Sequence, residues 1–323
     1  MFEISAQQHL LPIVVFLTMM TIGLELSVRQ FRELFREPRV PVLGTLIHTF
    51  TFPVIALALV LSIEVMEFET TEAMLIGILL IAACPSGGFS NILTLIARAN
   101  LTLSIVLTAV STIFSMVTVP LLLYSFGYFV VELQTSVVIP VADVLLQLVL
   151  LIFLPVVIGM FVTAKFNLLS DEQILKYQKS TQLMLYALTI TIVIESWDVM
   201  QAGLVDALPL SVLLCMANIS ICFTLSRLFG LEPVDAVTVA MEGSTRNIAV
   251  AILIAATTLE RMDVAVLPTV YFISILMVSI VFAKTWRKFL IHEVRDPDRI
   301  QAGITEGLED DRKKIEHREN KTN

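Results

Sequence analysis

Charge is scarce in this sequence. Asp, Glu, Lys and Arg make up 15% of its 323 residues, where a soluble domain carries about a quarter. With 57% hydrophobic residues and a mean hydropathy of +0.87, the chain could not clothe a water-facing surface in polar groups. Its natural solvent is lipid, which excludes a cytoplasmic enzyme, a nucleic-acid-binding protein and a secreted disulfide scaffold. Cysteine is nearly absent too. Cys84, Cys215 and Cys222 all lie in apolar runs, so no disulfide framework is expected. There is no GxSxG, no HExxH and no pair of aspartates within an apolar run, which argues against a membrane-embedded hydrolase. No polar stretch between apolar runs is long enough for a receptor domain. The opening MFEISAQQHLLP lacks a basic run and carries Glu3, so it is not expected to be a cleaved signal peptide.

What is present is a series of apolar runs of membrane-crossing length, about 20 residues each. Nine spans are expected, near 9–27, 40–63, 73–97, 101–125, 136–164, 180–197, 208–229, 234–258 and 264–284. They predict an all-α, multi-pass protein of an inner or plasma membrane; short alternating strands of a β-barrel are not seen. Basic residues sort the connections. Arg29, Arg32, Arg36 and Arg39 follow span one, Arg98 span three, Lys165, Lys176 and Lys179 span five, Arg227 span seven, and Lys284, Arg287 and Lys288 span nine. The alternate loops are acidic, with Arg261 their one basic residue. Of 21 Lys plus Arg, setting aside Arg246 and Arg261 leaves 19 on one side. That places residues 1–8 outside and the C-terminus in the cytoplasm. Residues 285–323 are highly charged and are expected to form a disordered cytoplasmic tail.

Two spans are interrupted. The run 73–97 carries Pro85, Gly87 and Gly88 in its middle, and 234–258 carries Glu242, Gly243, Arg246 and Asn247. Proline removes a helix hydrogen bond, and glycine permits non-helical backbone. In lipid such backbone is tolerated only against protein or a wet cavity. Each broken span is second from last in a group of four, and the two are five spans apart. Spans one to four and six to nine are therefore expected to belong to inverted repeats, about 9–125 and 136–284, the second also taking in span five. Broken helices at matching places in inverted repeats point to a secondary transporter with its binding site near the midplane.

Glu242 and Arg246 cost about 2.5–3.5 kcal/mol each at mid-bilayer on insertion scales. Four residues apart, they would share a face of a continuous helix and could pair. The alternative is that Glu242 binds a cation or a proton while Arg246 meets an anion. Oxygen donors are at hand in Ser90 and Asn91 beside the first break, and in Ser104 and Thr108, one helical turn apart. A carboxylate with neutral oxygens suits a hard monovalent cation. Cys84 has no second thiol near it in sequence and reads as a small core residue.

The segments CPSGGFSNILTLIARANLTLSIVLTAVST (84–112), EGSTRN (242–247) and TIGLELS (21–27) resemble the bile acid:sodium symporter family over nearly the whole apolar region. The resemblance implies two crossover helices, a core of spans two, three, four, seven, eight and nine, and a panel of spans one, five and six. It implies a sodium site on Ser90, Asn91, Ser104, Thr108 and Glu242. The family's second sodium site is altered: Arg246 and His48 stand where glutamines are usual. A guanidinium cannot ligate a cation, so one sodium at most is expected, with Arg246 in place of the second. The implied cargo is a small or amphipathic organic anion, bound near Gly87, Gly88, Asn247 and Arg246, where half-helix N-termini favour negative charge. A proton-coupled or uncoupled anion transporter is the alternative. Metalloid efflux is a more distant one, weakened by the lone Cys84. No nucleic acid is expected as a partner, and the oligomeric state is left open.

Overall fold

Apolar side chains in lipid leave the backbone no water to bond, so helices are the expected outcome, and helices are what form. The computed structural model of the protein describes residues 3–25, 38–132, 141–166 and 170–294. Arg29, Arg32 and Arg36, and residues 295–323 of the expected tail, lie outside the described residues.

The order is α1 (Glu3–Glu25), α2 (Arg39–Val65), α3 (Glu72–Ala83), α4 (Phe89–Ala97), α5 (Leu101–Glu132), α6 (Val141–Leu148 and Leu154–Phe166, joined by the π-helical turn Val149–Phe153), α7 (Asp171–Glu195), α8 (Trp197–Leu228), α9 (Pro233–Ser244), α10 (Ile248–Leu253, running into the π turn Ile254–Thr258) and, after a 3-10 turn, α11 (Val266–Val294). Local signals set many of these ends. Thr71 accepts from the Met74 N–H at the start of α3, Ser170 and Gln173 form a capping box on α7, and Pro233 occupies the first turn of α9. The turn of α6 that widens to π lies just before Pro155, whose ring would crowd the carbonyl four residues back in a regular helix.

Among the described residues there is no strand, only a single bridge between Ser86 and Arg246. Among the described residues four helical stretches are long and apolar enough to cross a membrane, Arg39–Val65, Ala142–Phe166, Trp197–Leu228 and Met262–Phe289. This is an all-α membrane protein.

Several ends differ from the sequence expectation. The helix expected to begin at 180 begins at Asp171, where the capping box sits in polar sequence. The helix expected from 208 starts at Trp197, after a one-residue break at Ser196, so Asp198 and Asp206 are helical rather than in a loop. α11 continues past 284 to Val294, taking in the first ten residues assigned to the tail.

The helices pack as two groups. α1, α6 and α7 contact one another through α1, while α2 to α5 and α8, α9 and α11 form the larger group, with the two broken spans inside it. Between the groups, the Gln147 side chain on α6 donates to Thr257 (2.6 Å) and accepts from Thr258 (2.6 Å) in the π turn of α10. Within the smaller group, α1 and α6 approach backbone to backbone. A Cβ on Gly23 would stand 2.2 Å from the Val156 carbonyl oxygen, and one on Gly159 would stand 2.3 Å from that of Met20.

Gly23→Ala and Gly159→Ala are each expected to destabilise the protein by at least about 1–3 kcal/mol, because backbone must move to admit the methyl. Gly44→Ala, whose Cβ meets only methyl groups of Leu107 and Val239 at 3.1 Å, should cost less. Thermal unfolding of the three variants in detergent gives the ranking.

Candidate functional site

Pro85 has no N–H to continue α3, so the chain runs extended from Cys84 and re-enters helix at Phe89. The second break occupies the end of the polar run 242–247. Glu242 and Gly243 remain helical, α9 ends at Ser244, and Thr245 to Asn247 form the extended stretch. The two breaks lie against each other. Gly87 N–H donates to the Thr245 carbonyl (3.0 Å) and Asn247 N–H to the Pro85 carbonyl (2.9 Å). Each break thus satisfies backbone groups that the other frees. The approach is tight, since a Cβ at Gly87 would stand 3.2 Å from the Arg246 carbonyl oxygen. Tyr271 on α11 adds a hydrogen bond from its hydroxyl to the Ser244 carbonyl (2.6 Å), closing the end of α9.

Because the helix ends at Ser244, Glu242 and Arg246 do not share a face, and the ion pair that their spacing allowed is not formed. Glu242 is fully buried. One carboxylate oxygen accepts from Ser86 (2.6 Å) and from Thr108, and the other accepts from Ser104 (2.9 Å). Ser90 lies 3.3 Å from Thr108 and bonds the Gly87 carbonyl, Asn91 Oδ1 lies 2.9 Å from the Ser104 hydroxyl, and Thr94 donates to Ser104. All five expected residues (Ser90, Asn91, Ser104, Thr108 and Glu242) therefore come together from α4, α5 and α9. Ser104 has one proton and two acceptors, Glu242 and Asn91, so the cluster holds more oxygens than protons to share among them. Sequence reasoning missed Ser86 and Thr94. The signal for Ser86 was its place inside CPSGG, where a hydroxyl next to a proline break faces the opposing backbone.

Arg246 goes the other way. Its two terminal nitrogens donate to the carbonyls of Cys84 (3.1 Å) and His48 (2.8 Å), and the guanidinium lies 4.8 Å from the centre of the Phe52 ring. Its Nε has no partner, nor do the ring nitrogens of the buried His48. Among the described residues no carboxylate forms an ion pair with it; two carbonyl dipoles and an aromatic face hold it instead. His48 and Arg246, the two residues expected to alter a second sodium site, thus meet at one place.

On the opposite side of the breaks a small open cleft is lined by Gly87, Gly88, Arg246 and Asn247 together with residues of α1, α7 and α11. The four expected substrate-binding residues share it. Its aromatic wall, Phe89, Tyr186 and Phe272, was not anticipated. Tyr186 stacks on Phe272 at 5.7 Å, and Phe89 meets both edge-on at 6.2 and 5.9 Å. No group of three or more His, Cys, Asp or Glu side chains suited to a metal occurs among the described residues.

A family model described as the sodium bile acid symporter family matches residues 12–202. That range contains Ser86, Ser90, Asn91, Ser104 and Thr108 and ends before Glu242 and Arg246. The chain is similar to sodium/bile acid cotransporter 4 of Homo sapiens, 25% identical over 240 residues that cover 72% of this chain and 52% of the relative. It is similar to an uncharacterized sodium-dependent transporter, YocS, of Bacillus subtilis (strain 168), 30% identical over 109 residues covering 34% and 32%. It is also similar to the ileal sodium/bile acid cotransporter of Oryctolagus cuniculus, 30% identical over 155 residues covering 48% and 43%. The chain spans about half the length of the curated relatives it matches over the longest stretches.

Replacing Ser86 by alanine removes one donor from a buried carboxylate. Ser86→Ala is expected to cost about 1.5–3 kcal/mol, the usual value of a hydrogen bond to a charged group. Ser62→Ala, at an exposed hydroxyl bonded only to its own helix, should change little. Thermal unfolding without sodium compares them.

Proposed function

The chain belongs to the sodium bile acid symporter family, and on that premise we propose that it is a secondary active transporter carrying a small or amphipathic organic anion together with one sodium ion. The observation that carries this reading is the nest of oxygens around Glu242. Ser86, Ser104 and Thr108 turn their hydroxyl protons onto the carboxylate. A hard cation entering there replaces those protons: the hydroxyls rotate and present lone pairs, and Ser90 and Asn91 add two more neutral oxygens. Sodium is cargo, held by Ser90, Asn91, Ser104, Thr108 and Glu242 with Ser86 beside them.

Arg246 sets the number of ions. Its guanidinium already occupies carbonyl oxygens of Cys84 and His48, the kind of oxygen that a second sodium would require. A fixed charge there leaves one mobile cation, and carrying one sodium with one monovalent anion moves no net charge. The anion occupies the cleft beside Gly87, Gly88 and Asn247, and the aromatic wall receives its apolar body. The nine spans form inverted repeats, about 9–125 and 136–284, with residues 1–8 outside and the C-terminal segment in the cytoplasm. Alternating access is the movement of the α1, α6 and α7 panel against the core formed by the other helices, with the crossing of the broken spans carried by the core.

A second reading has one specific observation in its favour. His48 is buried beside Arg246 with neither ring nitrogen bonded, as a proton-carrying site would leave it, and Glu242 could then exchange a proton in place of sodium. Against it, an imidazolium at His48 would face the Arg246 charge at close range in a dry interior.

Thermal unfolding of the purified protein in choline chloride, with sodium titrated at constant ionic strength and two pH values, tests both readings. A ligand of the folded state at a hundred times its Kd adds about 2.7 kcal/mol. We expect a saturable, sodium-specific rise with a Hill slope near one, lost in Glu242→Gln. A slope near two refutes the role of Arg246. No response to sodium, with a pH-dependent shift that needs Glu242, establishes the proton reading.

A further inference from the structure

The head group of the anion needs a partner in the cleft, and the guanidinium of Arg246 is drawn away from it. Each terminal nitrogen donates to a carbonyl, of Cys84 and of His48, and Phe52 covers a face of the group, which holds it against α2. Two carboxamides remain. Asn247 is 7% exposed and lines the cleft; its Oδ1 accepts from Val250 N–H at 3.4 Å, which leaves its NH2 group to the cleft. Gln182, in the middle of α7, is 8% exposed and lines the same cleft, and among the described residues its amide has no hydrogen-bond partner. Its Nε2 hangs over the first break, 2.9 Å from where a Cβ on Gly88 would stand.

The Gln182 amide is not sealed off in the interior but opens onto the cleft, so its donors are available to a bound group. An NH2 group presents two donors, and a carboxylate presents two oxygens that accept best from such donors in a dry site. We propose that Gln182 is the residue of α7 that binds the carboxylate of the transported anion, opposite the NH2 group of Asn247. One turn further along the same helical face is Tyr186, stacked on Phe272. α7 thus offers a polar contact for the head of the anion and a flat apolar contact for its body. The chemical class selected is a monocarboxylate with a ring or other compact apolar body. Because Gln182 belongs to the α1, α6 and α7 group and Asn247 to the crossing, a bound carboxylate bridges the two groups. This rests on the organic-anion reading above, and its test separates the two.

The full chain, purified in saturating sodium, is titrated with phenylacetate and with cholate, a small and a large monocarboxylate, and with their uncharged counterparts phenylacetamide and methyl cholate. Binding is read by calorimetry or thermal shift. In the unaltered protein at least one acid should bind more tightly than its uncharged counterpart. Gln182→Met should weaken that acid about ten- to hundredfold, as expected on losing a hydrogen bond to a charged group, and bring acid and neutral compound close together in affinity. The sodium titration of the same variant should be unchanged, which also shows that it is folded. If Gln182→Met does not fold, Gln182→Glu replaces it, and the like charge should abolish acid binding while sodium still binds. Acid binding equal to the unaltered protein in either folded variant overturns the role of Gln182 and leaves the transport reading standing. No binding of either acid to the unaltered protein overturns the organic-anion reading and this inference with it.

Discussion

The structure hangs on a small piece of extended backbone. Two interrupted helices enter the middle of an apolar interior, and each leaves peptide groups there that a helix would have bonded. In lipid no water relieves them. The pairs Gly87 with Thr245 and Asn247 with Pro85 let each break complete the other. Neither could exist alone at that depth, so the first half of the chain requires the second. The same pairing fixes what lies around it. Ser86 reaches the Glu242 carboxylate because it sits directly across from Arg246 in the bridge, and Arg246 is turned toward α2 because the helix before it has stopped.

Glu242 and Arg246 illustrate two ways of keeping charge out of water. The carboxylate is surrounded by rotatable hydroxyls, which can trade roles between donor and ligand. The guanidinium is pinned by carbonyls and a ring, which cannot. Had the two paired with each other, neither would be available to anything else, since breaking a buried pair is strongly unfavourable. The break that begins between them at Thr245 gives the protein one adaptable charge and one constant charge within the same crossing.

Much of this was legible in the sequence, for physical reasons. Polar residues are so few in the apolar runs that Ser90, Asn91, Ser104, Thr108 and Glu242 stand out, and the i, i+4 spacing of Ser104 and Thr108 places both on one face. Pro85 and the paired glycines mark the first break. The second lies within the polar run 242–247 that marks it, although Glu242 and Gly243 themselves stay helical. The partners of Arg246 could not be read, since they are main-chain carbonyls of Cys84 and His48, and carbonyls leave no trace in a sequence. Gln182 and Tyr186 were missed for a related reason. They belong to a helix that begins in polar sequence at Asp171, and only its packing on α1 turns that face toward the breaks.

The two neighbouring threonines at the end of α10 carry a geometric consequence. In a regular helix, consecutive side chains diverge by about 100°, too far for both to reach one small group. The wider π turn Ile254–Thr258 reduces that angle, and Gln147 engages Thr257 with its nitrogen and Thr258 with its oxygen. Thr257 spends its own proton on the Leu253 carbonyl and accepts from the carboxamide nitrogen, while Thr258 donates to the carboxamide oxygen; sliding the helix by one residue would put Ala256 or Leu259 in place of one threonine and lose a bond. The contact therefore acts as a key for registration between α6 and α10, accepting a single alignment when the helices meet. Its parts are two neutral hydrogen bonds of modest net worth, about 1 kcal/mol each, so the alignment is exact without being costly to undo.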